Sequence, residues 1–495
     1  GVGSYVKQIS RFDGTTVSNQ YNGDGLLTAV CYPGSTNSFS YYRNNILRTV
    51  ANETCTISNE VNFANRLSSC SVGGPGSPSA VVNYGYLPAG NISNVVSVAG
   101  TNVYSYDEAE RVTNIAAHLP SSSLSFAVSY DPYNGLLSTI TCTNNGMSLS
   151  YARVDLDRTL WVGWRNASNE TLKNFIYAYN TAGMVASCEQ ESGEQVAYTY
   201  DGLDRLTRET KTDSFGQTLF DEQINYDEVG NRTSKTRDGI TVNYNNSNNC
   251  NRLTGWTVAQ TNLMAQMDVY GGASEEIGSN SHWGQLWVSN SNTKVTPEVD
   301  GTNFTAHDMA FNLGSQQVTA AIRDAAGNTS FRTNTVLLSI VTNAAYKYST
   351  AGCVTNISYA GSNYSQNIGL TWDSQYRLAV VSTNGVECER NGYRPDGLRA
   401  WSWDGATTNY FVYSGADLIA EVDSTGGLRR AYVYAGLDFP LAMTVYTSGV
   451  ATTYFYLTDK MGTVHAVADQ SGSIVEQYRM DAWGRVLGVY DRAFQ

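Results

Sequence analysis

One phrase recurs along this chain and limits its fold more than any other feature. It reads "YTYDGLDRLT" at 198–207: two aromatics two apart, an aspartate, three loose residues, then Arg-Leu-Thr. Variants stand at 104–113 ("YSYDEAERVT"), 128–138 ("VSYDPYNGLLS"), 177–186 ("YAYNTAGMVA"), 224–233 ("INYDEVGNRT"), 346–355 ("YKYSTAGCVT") and 370–379 ("LTWDSQYRLA"). Neighbouring copies lie 24 (Tyr106 to Tyr130), 21 (Tyr179 to Tyr200), 26 (Tyr200 to Tyr226) and 24 (Tyr348 to Trp372) residues apart. A period of that size marks a repeat array.

Each copy reads as a β-hairpin. Residues two apart share a face of a strand. The phrase therefore ends a strand with two aromatics side by side. The aspartate that follows can accept backbone amides of its own turn, and a later glycine supplies positive φ. Turns are expected at Asp107–Glu110, Asp201–Asp204, Asp227–Gly230 and Asp373–Tyr376, with Asp131 opening another after Tyr130. Arg111, Arg205 and Arg377 follow their aromatics by five residues. Across a tight hairpin this spacing predicts a cation–π contact or an ion pair with the turn aspartate. Tyr106, Tyr200, Tyr226 and Trp372 are expected to form a buried aromatic ladder. All of these roles are structural.

Composition agrees with an all-β chain. Tyrosine (34) and glycine (45) are abundant, proline (9) is scarce, and no long stretch has helical apolar spacing. At 495 residues one compact core is too small a solution, whereas an array packs each unit on its neighbours. The net charge of −13 argues against a nucleic-acid partner. No apolar run is long enough for a membrane span. The chain opens "GVGSYV" without a signal peptide, which reads as a processed chain or an excised piece. The eight cysteines form no C-x-x-C, so they read either as disulfide partners of a secreted protein or as small buried hydrophobes.

Repeats fill 1–255 and resume over 343–453. Between them, 256–342 lacks the phrase and alternates apolar segments with Asp-Gly, Leu-Gly and Ala-Gly-Asn turns. It resembles bacterial immunoglobulin-like modules, with "DAAGNTS" before a last strand, and reads as a small β-sandwich inserted at a loop. The terminal stretch 454–495 changes style. There Asp459, Gly462 and Thr463, then Asp469, Tyr478, Gly484 and Arg485, resemble the RHS-associated core, and the Tyr-Asp phrases resemble the YD repeat of RHS-repeat proteins. The resemblance implies an antiparallel hairpin array that spirals into a hollow shell, as in the C component of insecticidal toxin complexes and the teneurin ectodomain. It also implies secretion or display at a cell surface, and an enclosed C-terminal effector. The family's self-cleavage segment and effector lie beyond the phrases present here, so no autoproteolytic aspartate carries over.

Catalytic chemistry is not legible. His118, His282, His307 and His465 are scattered, without metal-ligand spacing or a nucleophile phrase nearby. "SVGGPGSPSA" at 71–80 is not followed by Lys-Ser or Lys-Thr and is no phosphate loop. No catalytic residue, metal or cofactor is expected. The leading reading is a shell or scaffold for encapsulation or intercellular interaction. A second is a glycan-binding surface protein or polysaccharide-degrading enzyme, with Trp283 or Trp287 lining a groove. A third is a subunit of an extracellular filament.

Overall fold

A computed structural model describes residues 5–74, 77–155, 158–247, 250–259, 264–272, 283–300, 303–312, 314–324, 327–338, 340–362 and 364–490. Among them there is no helix. A single antiparallel sheet of 37 strands accounts for most of the chain. Strands pair in chain order, so the sheet is one long meander whose turns fall alternately on two rims. All the Tyr-Asp turns fall on the same rim.

The turns form as their sequence dictates. In the copy at 201 the Asp204 amide donates to the Asp201 carbonyl, and the Asp201 amide to the Arg205 carbonyl. Asp201 Oδ1 accepts the amides of Leu203 and Arg205, at 2.9 and 3.0 Å. Asp107 and Asp373 do the same in their turns. Asp131 accepts from Tyr133 and Asn134, and Asp227 from Val229 and Asn231. The fourth turn position is left-handed in the copies at 107, 201, 227 and 373, which suits Gly230 but not Glu110, Asp204 or Tyr376, with φ near 60°; the longer turn at 131 places Gly135 there instead. Glu110 is exposed, so Glu110→Gly should stabilise the protein by about 0.5–1 kcal/mol, read as a higher urea midpoint.

Two contacts tie repeats to their neighbours, the second only in the copies that carry the arginine. The last aromatic reaches back. Tyr106, Tyr130, Tyr200 and Tyr226 donate their hydroxyls to the carbonyls of Ile92, Val112, Val185 and Leu206, at 2.8–2.9 Å. Trp372 substitutes its indole N–H, 2.6 Å from the Val354 carbonyl. The arginine reaches forward. Arg111, Arg205 and Arg377 each pair through Nε with Asp107, Asp201 and Asp373, at 2.7–2.8 Å. Their guanidinium groups then lie over the rings of Tyr130, Tyr226 and Tyr393, 4.5–4.8 Å from the centroids. The ring that is covered belongs to the next repeat, not to the same hairpin. The ladder itself needs correction, because Tyr106, Tyr200, Tyr226 and Trp372 are only half-buried. Their edges stay exposed so that their polar atoms can reach the neighbouring strand. The preceding ring goes deeper: Tyr177 is buried, and Tyr104 packs on the core.

The sheet runs straight through the insertion. Strands Leu253–Val258 and Ile340–Tyr348 pair directly, Trp256 against Ala344. The main sheet thus keeps a few residues that the boundaries 256 and 342 assign to the insert. Tyr348 donates across it to the Leu253 carbonyl at 2.6 Å. The intervening residues form sheets of three and four strands. Their facing sides enclose a separate cluster around Val288, Phe304, Met309, Phe311 and Val318.

After the insertion the strip meets its own beginning. Turn residues Ser374 and Tyr376 contact Arg11, Asp13 and Ser35 on the opposite rim of the first strands. Asn52 likewise donates to the Tyr393 carbonyl. The wall therefore closes rim to rim at first. Further on it is covered face to face: residues of 412–468 share one apolar core with residues of 82–188, with Phe455 edge-on to Phe126 at 6.4 Å. All eight cysteines are free thiols, and Cys55, Cys142 and Cys188 are buried small hydrophobes.

Candidate functional site

The apolar core gives way to charge near residue 190. In the strand Leu206–Thr212 the inward positions are Glu209 and Lys211, where earlier strands place Ile115 or Phe126. Glu222 in Thr218–Tyr226 and Lys235 and Arg237 in Arg232–Arg237 continue the charged zone. The returning strand Ile474–Met480 and its turn cover it. Lys211 pairs with Glu194 at 2.7 Å, and Arg479 approaches the same carboxylate at 3.4 Å. Glu222 is fully buried, with Lys235 at 2.8 Å and Arg237 at 2.9 Å. These last contacts are close without the N–H groups being aimed at the carboxylate oxygens. Lys235 also lies 3.9 Å from Asp481.

A cavity of about 470 Å³ opens between the two arms at this zone. The core-like phrases supply one wall and the tyrosine-bearing strands the other. Asp459 Oδ1 accepts the amides of Met461 and Thr463, closing the turn that ends with Gly462 and Thr463. Lys460, at the tip, sits over the rings of Tyr177 and Tyr179 and bonds the Tyr179 hydroxyl at 3.0 Å. Asp469 closes the next turn, whose Gln470 carbonyl accepts from Asn145. Asp481 closes the third, accepting the amides of Trp483 and Arg485 before the left-handed Gly484. Trp483 lies 3.7 Å from the Arg232 guanidinium, and the Ala482 amide donates to Glu209 at 2.9 Å. Tyr478 lines the cavity. Three successive turns therefore dock on the first arm.

Electrostatics follow from burial. Glu209 stands directly opposite Glu222 in the strand register. Burial, then the nearby Glu222 and Asp481 carboxylates, push Glu209 up to about 7, against the Ala482 amide. Burial also works to raise Asp459. Its hydrogen bonds from His465 and the turn amides outweigh that and hold it below the ordinary range. Cys188 is pushed up to about 12 by burial, so it is a poor nucleophile despite lining the same cavity. Burial raises Tyr177 and Tyr198 as well. The arrangement serves to hold the two arms together: each buried charge faces a counter-charge, an amide or a ring.

A pH dependence follows. Glu209 titrates near 7 in the folded protein and near 4.5 when free. Its raised value gives stability that is complete below the free value and is lost as pH rises through 7. The loss is roughly 3 kcal/mol for a shift of this size. Hydrogen exchange in the covering strand Ile474–Met480 should therefore speed up more than hydroxide catalysis explains between about pH 4.5 and 7. Glu209→Gln should remove that excess.

The other sequence candidates do not converge. His465 tilts on Phe175 at 4.7 Å and approaches Asp459 at 3.5 Å. His118 lies beside Ser123, and His307 is an exposed partner of Asp268. His282 and the Trp283 side chain lie outside the described residues. Trp287 is half-buried beneath Lys294, 4.5 Å from its ring, and is not among the residues lining the 470 Å³ cavity. Among the described residues no group of three His, Cys, Asp or Glu could hold a metal ion. No helix there is long and apolar enough to cross a membrane. The buried charges Glu194, Glu209, Lys211 and Glu222, and the partly buried Lys235, escaped the sequence reading. Their signal was charged residues of both signs at inward positions of adjacent strands, where apolar ones would be expected.

Comparison with known proteins places this architecture. No family model matches the chain. The tRNA3(Ser)-specific nuclease WapA of Bacillus spizizenii is 33% identical over 119 residues, 23% of this chain and 5% of that protein. Double-stranded DNA deaminase toxin A of Burkholderia cenocepacia is 32% identical over 155 residues, 26% of this chain and 10% of that one. This chain thus matches only a small part of either relative. The crystal structure of TcdB2-TccC3-TEV aligns with 96% of this chain and 25% of its own, with a TM-score of 0.50 and 13% identity. At that identity the likeness concerns the fold, which is the shell-like β-fold of that structure.

Proposed function

We propose that this chain is a wall segment of a toxin-related RHS shell, working outside the producing cell, whose terminal turns seal the wall around an effector. One observation carries the reading: three successive turns, at Asp459, Asp469 and Asp481, are pinned to the first arm by Lys460, Gln470 and Ala482. An array used only as a flat scaffold has no need of that return. The curated relatives are named as a nuclease and a deaminase toxin, and the match covers 5–10% of their lengths. Both facts suit a wall that serves an effector carried elsewhere in a longer polypeptide. A glycan-binding groove gains no support from Trp287. The test is to attach a small protease-sensitive reporter after Gln495 and digest the folded fusion. Enclosure predicts that the reporter outlasts its free form severalfold, and that Asp481→Ala with Lys460→Ala shortens its life. A reporter cut as fast as the free form would overturn the proposal.

A further inference from the structure

The inserted sandwich carries an unguarded sheet edge. Strand Thr329–Leu338 pairs with Gly314–Asp324 over ten consecutive residue pairs without a bulge. Among the described residues nothing pairs with its other side. Such edges are normally blunted by lysine, proline, a bulge or shortness. This one is ten residues long and reads TSFRTNTVLL, with no lysine, proline or bulge and a single exposed charge, Arg332. It also presents large apolar side chains: Phe331 is 74% exposed and Leu337 61%.

We propose that this edge is a self-association site, at which a second copy of the chain adds its own Thr329–Leu338 antiparallel. The argument is complementarity of the strand with itself. A two-fold axis normal to a sheet brings together residues on the same face, so the two partner numbers must have an even sum. Centring the axis on Asn334 overlaps nearly the whole strand. It sets Phe331 of each copy opposite Leu337 of the other, so the two exposed apolar residues cover one another twice. It sets Asn334 against its own copy, and two primary amides can each donate and accept. Arg332 falls opposite Val336, and the two arginines stay about four residues, roughly 14 Å, apart along the ladder, beyond a physiological Debye length. Moving the axis to residue 333 or 335 leaves both Phe331 and Leu337 facing polar residues or the strand's end. The two apolar residues on the other face, Val336 and Leu338, already pack on the sandwich core. The outer row is thus the part that association would bury. The proposal is independent of the shell reading, since the insert has its own core.

Sedimentation velocity over a micromolar concentration series of the purified chain tests it. A reversible dimer is expected. Phe331→Lys should weaken it by roughly tenfold or more, because two cross-strand pairs are lost together. Phe331→Lys combined with Leu337→Glu turns both pairs into Lys–Glu and should restore the dimer. Both residues are exposed, so urea midpoints of the variants should match the parent and certify that folding is intact. A chain monomeric throughout the series would overturn the proposal. So would a dimer indifferent to Phe331→Lys, or a double variant no tighter than the single one.

Discussion

Phe455→Ala should cost about 3–5 kcal/mol, among the largest losses available to a single residue here. Phe455 is 2% exposed and meets Phe126 edge-on across the two arms. Truncation removes apolar contact and leaves a cavity between two stretches of the same sheet that are held apart by their other side chains. Neighbouring Leu457 and Ala442 are also fully buried, so the site has little room to collapse. The damage should be directional. Strands Val450–Thr458 and Ser122–Tyr130 face the gap, and their amides should exchange faster. Strand Ser35–Tyr41, where the wall closes rim to rim, should keep its protection, because in an array stability is summed over neighbours. Uniform acceleration along the chain would mean that the two arms unfold as one unit.

Glu222→Ala should be comparably costly, about 3–5 kcal/mol, for an electrostatic reason. The carboxylate is fully buried between Lys235 and Arg237, and its removal takes the nearest counter-charge from two partly buried cations, leaving Lys235 only Asp481 at 3.9 Å. A contrast separates this cause from simple packing. Replacing Glu222, Lys235 and Arg237 together by apolar residues of similar volume should be close to neutral, since desolvating three charges offsets most of their mutual attraction. A triple variant as unstable as the single one would assign the effect to shape. Glu222→Gln should in addition lower the Glu209 titration, because a like charge directly across the ladder is gone. That change can be followed by carboxyl NMR shifts.

The turns were legible in the sequence, and the partners were not. Tyr-Asp followed by Arg-Leu-Thr encodes an aspartate-closed turn locally, and Asp107, Asp201, Asp227 and Asp373 all close one. What Arg205 covers depends on which strand lies alongside. That is a matter of stacking between repeats, so the ring turned out to be Tyr226 rather than Tyr200. Burial of Tyr200 was misjudged for the same reason: the phrase shows two rings on one face but not which one meets the returning arm. The charged zone at Glu209 and Glu222 was harder still. On a solvated strand those residues would be ordinary, and only the cover supplied by residues some 250 positions later makes them buried. The return of that cover is not written in any local period.

The backward bond of Tyr348 to Leu253 spans an insertion of about eighty residues without a missed stitch. Every such stitch lies along one margin of the ribbon, while the inserted sandwich leaves from the other. The ribbon is in effect hemmed on one side and open to grafting on the other. Foreign modules can be spliced into the unhemmed margin where it makes no closing contact, away from the turns of Arg11, Ser35 and Asn52, and length variation between homologous walls is expected to collect there.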